Sequence, residues 1–208
     1  MIEFASLVVF IPTFFLVSVS PGLCMTLALT MGMTVGIRKT LWMMLGELVG
    51  VALVGVFAVI GVATMMLNYP TVFVVFKYVG GLYLMYLGVQ MWRSKGKMAL
   101  DFNGSGATED KTQWAVAMQG FITAIANPKG WAFMISLLPP FINASLPMVP
   151  QLAILLTTVL FIEFICLMLY ATGGKQLGRL LQRNNNVATL NKITGTLMIG
   201  VGIWLAAG

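Results

Sequence analysis

Six apolar segments, each about 20 residues long or longer, make up most of the 208-residue chain. They cover residues 4–31, 41–67, 71–92, 115–140, 148–172 and 189–207. About 20 apolar residues are enough to cross the hydrocarbon core of a bilayer as an α-helix. Backbone polar groups have no water to pair with in lipid, so each segment should be helical. The sequence therefore predicts an all-α, polytopic membrane protein with six transmembrane helices.

The composition excludes most soluble classes. Hydrophobic residues make up 59% of the chain and charged residues only 9%, against roughly 25% charged residues in soluble domains. The net charge of +6 comes without an RNA-binding motif or a stripe of interleaved aromatic and basic residues outside the apolar segments, so we expect a lipid bilayer as the partner and not nucleic acid. Two cysteines and no histidine cannot form a Cys/His zinc site. We expect one membrane-embedded domain over residues 1–208, with no metal or cofactor.

The basic residues predict the orientation. Nine of the twelve lysines and arginines fall between segments one and two, three and four, or five and six, and a tenth, Lys192, lies at the start of segment six. Short loops rich in lysine and arginine face the cytoplasm. This places the loop 93–114 in the cytoplasm and both termini on the periplasmic side of a bacterial-type inner membrane.

The two halves of the chain, about 1–92 and 115–208, resemble each other in their polar residues. A Phe–Pro pair spaced by seven residues, a glutamate and a lysine recur in the same order. The matching pairs are Phe14 and Pro21 with Phe121 and Pro128, Glu47 with Glu163, and Lys77 with Lys192. Three helices in each half predict a 3+3 inverted repeat, an arrangement in which secondary transporters place the substrate at the repeat interface.

A proline interrupts the first and the fourth segment. The residues around the two prolines are Ser20, Pro21 and Gly22, and Asn127, Pro128, Lys129 and Gly130. Proline breaks a helix, and a preceding Ser or Asn is a good N-cap for a new helix that starts with Pro. We therefore predict that helices one and four are broken, with fresh N-terminal ends that bind carboxylates. A simple proline kink is the structural alternative.

Besides Lys192 at the start of segment six, four charged residues lie inside the apolar segments: Glu47, Lys77, Lys129 and Glu163. Such residues usually face the bundle interior or a water-filled path. We expect Lys129 and the half-helix ends to hold a carboxylate and Glu47 or Glu163 to face an ammonium, which together suit a zwitterion. Glu163, near mid-span, and Glu47 are the candidate proton carriers. The alternatives are a structural Glu47–Lys129 pair, a Lys77 that reaches the outer surface, and a Glu163 that only ties two helices together.

The predicted substrate-binding set is Ser20, Pro21, Gly22, Glu47, Asn127, Pro128 and Lys129. Two glycine pairs, Gly32 with Gly36 and Gly46 with Gly50, have the spacing of close helix packing. That packing can lie within one chain or between the copies of a homo-oligomer.

The same motifs resemble the LysE/RhtB family of translocators. The resemblance is carried by Val19 to Gly22, Gly36 to Lys39, Gly46-Glu47, Lys77 to Gly88, Gly120 to Thr123, Asn127 to Lys129 and Gly195 to Gly202. It implies a secondary transporter that exports an amino acid or related metabolite, driven by proton exchange. Two positions depart from the family pattern. Pro21-Gly22-Leu23-Cys24 stands where the family commonly has Pro-Gly-Pro-Asn, and Glu47 stands where Asp is common.

Two other classes fit part of the sequence. A membrane thiol-electron carrier of the DsbD/CcdA type resembles the same six-span plan, with Cys24 as its thiol, but its second cysteine is expected near Pro128, whereas Cys166 lies in the fifth segment. A membrane scaffold without transport is the other alternative. The chain has no Walker-type loop for ATP, which leaves protons as the expected driving ion.

Overall fold

The computed structural model describes residues 4–93, 112–138, 141–143, 146–182 and 186–207. These ranges contain eight α-helices. They are α1 Phe4–Val19, α2 Leu23–Thr34, α3 Ile37–Asn68, α4 Pro70–Arg93, α5 Gln113–Ile125, α6 Pro128–Leu137, α7 Met148–Gln182 and α8 Asn186–Ala207. The predicted all-α class is confirmed.

The helices follow the apolar segments closely. The first segment contains α1 and α2, the fourth contains α5 and α6, and each of the others corresponds to a single helix. The main difference lies in α7, which runs to Gln182 although the sequence predicts an end at residue 172. Residues 175–182 are mostly good helix formers. Their polarity marks where the apolar segment ends, and the helix continues beyond it.

Among the described residues, two helices are long and apolar enough to cross a membrane by themselves. They are the stretches Ile37–Gly61 of α3 and Met148–Gly173 of α7. Within the described ranges, one pair of helices is also long and apolar enough when the two are taken together as a single broken span. The pair consists of Leu7–Val19 and Leu23–Thr34, which meet at 57°. The complete six-span arrangement stays a prediction.

The helix packing is closest at small residues. α4 lies along α8, α3 along α5, and α2 along α7. A Cβ atom on Gly46 would come within 1.8 Å of the carbonyl oxygen of Ala117, and one on Gly32 within 2.2 Å of that of Ala171. Helices this close leave no room for a side chain, so these glycines serve contacts within the chain. Gly36 differs, because it ends α2 in the left-handed conformation at φ +78°.

The broken helices of each half pack on the long helix of the other half. α1 and α2 contact α7, while α5 and α6 contact α3. α3 and α7 also contact each other. The first break is buried at Ser20 and Pro21, whereas the second is exposed at Ala126 and Pro128 and half-buried at Asn127.

Candidate functional site

The chain leaves the helical conformation at both predicted prolines. α1 ends at Val19 and α2 begins at Leu23, while α5 ends at Ile125 and α6 begins at Pro128. At the second break the Asn127 side chain accepts a hydrogen bond from the backbone N–H of Lys129 at 3.2 Å. Asn127 is thus the N-cap of α6 and Pro128 its first residue, as predicted.

The prediction for the first break is wrong in one respect. Ser20 does not cap a helix that starts at Pro21, because α2 starts at Leu23 with Gly22 as its N-cap and has no side-chain cap. The Ser20 hydroxyl instead donates to the carbonyl oxygen of Val17 at 2.7 Å, back into the last turn of α1. The first N–H groups of a helix have no intrahelical partner, and at α2 the N-cap residue Gly22 has no side chain to pair with them.

Lys129 joins the two breaks. Its Nζ atom donates to the carbonyl oxygens of Val17 at 2.9 Å and Ser20 at 3.2 Å, and it also contacts Ser20 Oγ. An ammonium has three protons to donate, and the C-terminal end of a helix carries partial negative charge. The Tyr170 hydroxyl donates to the carbonyl oxygen of Val19 at 2.7 Å. The end of α1 is thus held by α6 through Lys129 and by α7 through Tyr170.

The two membrane glutamates lie close together but differ in their partners. Glu163 accepts a hydrogen bond from Ser18 Oγ at 2.6 Å. Glu47 is completely buried, and neither of its carboxyl oxygens has a hydrogen-bond partner among the described residues. Its electrostatic neighbours are Glu163 and Cys24. The structural ion pair between Glu47 and Lys129, which the sequence offered as an alternative, is not formed. The Lys129 ammonium donates its hydrogen bonds to the end of α1 instead.

These residues line one cavity of about 550 Å³, including the space at its opening. Its polar lining consists of Ser18, Ser20, Cys24, Glu47, Asn127, Lys129 and Glu163. Gly22 also lines it, whereas Pro21 and Pro128 do not and act by breaking the helices. The structure thus brings six of the eight predicted site residues to one cavity.

Two polar residues of the site, Ser18 and Cys24, carried no predicted role in binding. Ser18 holds Glu163, and the available signal was a hydroxyl in the last turn before a helix break. Cys24, noted in the sequence only for thiol chemistry, accepts a hydrogen bond from Asn127 Nδ2 at 3.6 Å. Cys24 and Cys166 are both free and buried. Among the described residues, no group of three or more His, Cys, Asp and Glu could hold a metal ion.

The lysine of α8 lies away from these contacts. Lys192 is exposed, and its Nζ atom lies 6.0 Å from the ring centre of Trp92. Lys77 belongs to α4, but its side chain lies outside the described part of the chain, so its predicted position stays a prediction.

Discontinuous helices around a buried polar cavity are a feature of membrane transport proteins. The family model described as LysE type translocator matches residues 15–208, so the chain belongs to the family of LysE-type translocators. This confirms the resemblance found in the sequence, and it gives no support to the thiol-electron carrier.

Several relatives match over nearly the whole chain. A homoserine/homoserine lactone efflux protein of Salmonella typhimurium is 27% identical over 92% of this chain and 91% of its own length. A leucine efflux protein of Enterobacter sp. (strain 638) is 29% identical over 93% and 91%. An uncharacterized membrane protein of Vibrio cholerae is 28% identical over 91% and 90%. No solved structure matches the chain.

Proposed function

We propose that the protein is a secondary transporter that exports an amino acid or a related small zwitterion across the inner membrane by proton antiport. The observation that carries this proposal is the carboxyl group of Glu47, which is completely buried in the cavity wall and whose oxygens have no hydrogen-bond partner among the residues that the structure describes. A buried carboxylate without a partner is very unfavourable. A substrate ammonium or a bound proton would supply what it lacks.

The N-terminal end of α2 is suited to the substrate carboxylate. Gly22, Cys24 and Met25 at the start of α2 line the cavity, and Gly22, the N-cap residue, makes no side-chain hydrogen bond to that turn. Helix N-termini bind carboxylates through free N–H groups and the helix dipole. We assign the substrate carboxylate to this end of α2, beside Ser20 and the Lys129 ammonium. The α6 terminus, already capped by Asn127, then acts by holding Lys129 in place.

Proton coupling is assigned to Glu163 and Glu47. Both carboxyl groups line the cavity, and each is an electrostatic neighbour of the other. A proton on this pair and a substrate ammonium would compete for the same negative charge. Such competition gives exchange of one for the other, which is the requirement for antiport.

The helix packing supports the wider arrangement. Packing of each half's broken helices on the long helix of the other half is what two inverted repeats would produce. We propose six spans in a 3+3 inverted repeat with both termini on the periplasmic side. The efflux of homoserine and leucine named for two relatives supports an amino acid as the substrate.

The test is transport by the purified protein in liposomes. We expect exchange of labelled amino acid, and accumulation when a proton gradient is imposed. Glu47→Gln should abolish substrate exchange, whereas Glu47→Asp, which keeps the carboxyl group, should retain part of it. Glu163→Gln should retain exchange but lose accumulation driven by protons.

Two results would change these assignments. Full exchange by Glu47→Gln would remove Glu47 from the binding site. Proton-driven accumulation by Glu163→Gln would move the coupling to Glu47 or to an ion other than the proton. A Cys24→Ser, Cys166→Ser double variant with full transport would exclude thiol chemistry.

A further inference from the structure

We infer that the cavity selects substrates with an apolar side chain, and that Val51, Val54 and Phe133 set this preference. The inference rests on the proposed transport function and narrows its substrate class. It follows from two features of the cavity lining: the contacts that its polar groups already make, and the position of its apolar residues.

The polar side of the cavity is largely engaged in contacts within the protein. The hydroxyl of Ser18 donates to Glu163, and that of Ser20 donates to the Val17 carbonyl oxygen. Asn127 accepts from the Lys129 backbone and donates to Cys24, and the Lys129 ammonium is directed at α1. The Glu47 carboxyl group has no such internal contact among the described residues, and it is already assigned to the substrate ammonium. A hydroxyl on the substrate side chain would therefore find few partners.

The rest of the lining is apolar. It includes Phe14, Met25, Val51, Val54, Phe133 and Met134. Val51 and Val54 follow Glu47 by four and seven residues in α3, so they lie on the same helix face as Glu47. Phe133 follows Lys129 by four residues in α6. On both α3 and α6, apolar residues therefore begin one helical turn after the charged residue of the site. A substrate side chain would pack against these apolar residues.

The expected selectivity can be stated as a ratio. A hydrophobic pocket discriminates against an isostere that adds a hydroxyl by about 100-fold at most. Norvaline and homoserine have side chains of equal length and differ by a methyl in place of a hydroxyl. We expect norvaline to be preferred over homoserine roughly ten- to hundred-fold.

The experiment measures competition in liposomes that contain the full chain. Exchange of labelled leucine is measured against increasing unlabelled norvaline or homoserine. Norvaline should compete at concentrations at least about ten-fold lower than homoserine does. Val54→Thr and Val51→Thr, which keep the side-chain shape and add a hydroxyl, should each narrow this ratio. Val79→Thr, on an exposed face of α4, is the matched control and should leave the ratio unchanged.

Each result has a distinct meaning. Equal competition by the two compounds, or exchange of homoserine but not leucine, would overturn the inference and leave the transport function standing. An unchanged ratio in both threonine variants, with both eluting as folded protein, would overturn the role of the α3 valines. Absence of exchange with every amino acid tested would overturn the transport function itself, and this inference with it.

Discussion

The Oγ atom of Ser18 lies 2.6 Å from Oε2 of Glu163, although 145 positions separate the two residues in the sequence. The contact joins the last turn of α1 to the middle of α7. Because α1 ends at the break that lines the cavity, this hydrogen bond connects the proposed proton carrier directly to the proposed binding site. Movement of either helix would change the surroundings of Glu163.

Replacement of Ser18 by alanine tests this connection. Hydrogen bonds to charged groups contribute about 1.5–3 kcal/mol, and those between neutral groups about 0.5–1.5. We expect Ser18→Ala to insert normally but to lower proton-driven transport in liposomes more than it lowers substrate exchange. Thr30→Ala is the control, since the buried Thr30 hydroxyl donates only to Thr26 of its own helix at 2.7 Å. Equal effects of the two variants would contradict a specific role for Ser18.

Replacement of Lys129 tests the contact between the two breaks. Lys129→Ala should abolish export while leaving membrane insertion intact, because the substrate carboxylate loses its cation and the end of α1 loses its donors. Lys129→Met, which keeps much of the apolar stem, should also fail to export. The measurement is export from cells together with the amount of protein in the membrane fraction.

Lys192 provides the control for Lys129. Lys192→Met removes an exposed ammonium that lies over Trp92 and should leave export close to that of the unmodified protein. An unchanged export rate in Lys129→Ala would assign Lys129 to structure alone.

Two glycines of α3 give a matched pair for the helix packing. A Cβ atom at Gly46 would overlap the Ala117 carbonyl oxygen, whereas one at Gly61 would meet nothing within 4 Å. Gly46→Ala should lower the free energy of unfolding by about 1–3 kcal/mol, as overpacked sites do. Gly61→Ala should raise it by about 0.5–1 kcal/mol, because glycine weakens a helix relative to alanine. Thermal unfolding in detergent measures both, and a Gly46→Ala variant as stable as Gly61→Ala would contradict the close approach of α3 and α5.

The proposed topology predicts the location of two reporters. A reporter inserted at residue 100 should lie in the cytoplasm, and one fused to the C-terminus should lie in the periplasm, because the basic residues concentrate in the loops of one side. Alkaline phosphatase and a fluorescent protein, each active on only one side, make the measurement. Reporters on the same side would contradict a 3+3 inverted repeat.

The sequence predicted those features that depend on local chemistry. Pro21 and Pro128 marked both helix breaks, because proline removes a backbone donor and clashes with the preceding turn of a helix, although Pro12 is accommodated within α1. Asn127 was recognised as a cap from its position before Pro128. The lengths of the apolar segments predicted the positions of the helices. They did not predict the end of α7, where polar helix formers extend the helix beyond residue 172.

The features that depend on helix packing were not predictable in the same way. Ser20 was expected to cap α2, but its hydroxyl bonds back to Val17 and contacts Lys129, which a neighbouring helix brings to it. The pairing of Ser18 with Glu163 likewise depends on where α1 and α7 cross. The residue types were informative, but the choice of partner was decided by the tertiary structure.

The attachment of Lys129 to the end of α1 has a consequence for comparisons among homologous sequences. Two of its acceptors, at Val17 and Ser20, are carbonyl oxygens of the main chain, which every amino acid provides. Contacts are recognised in alignments through compensating changes at two positions. A carbonyl oxygen survives any change of its own side chain, so positions 17 and 129 should not covary even though they touch. The same holds for Val19 and Tyr170, and methods that infer structure from covariation would leave the centre of this site sparsely connected.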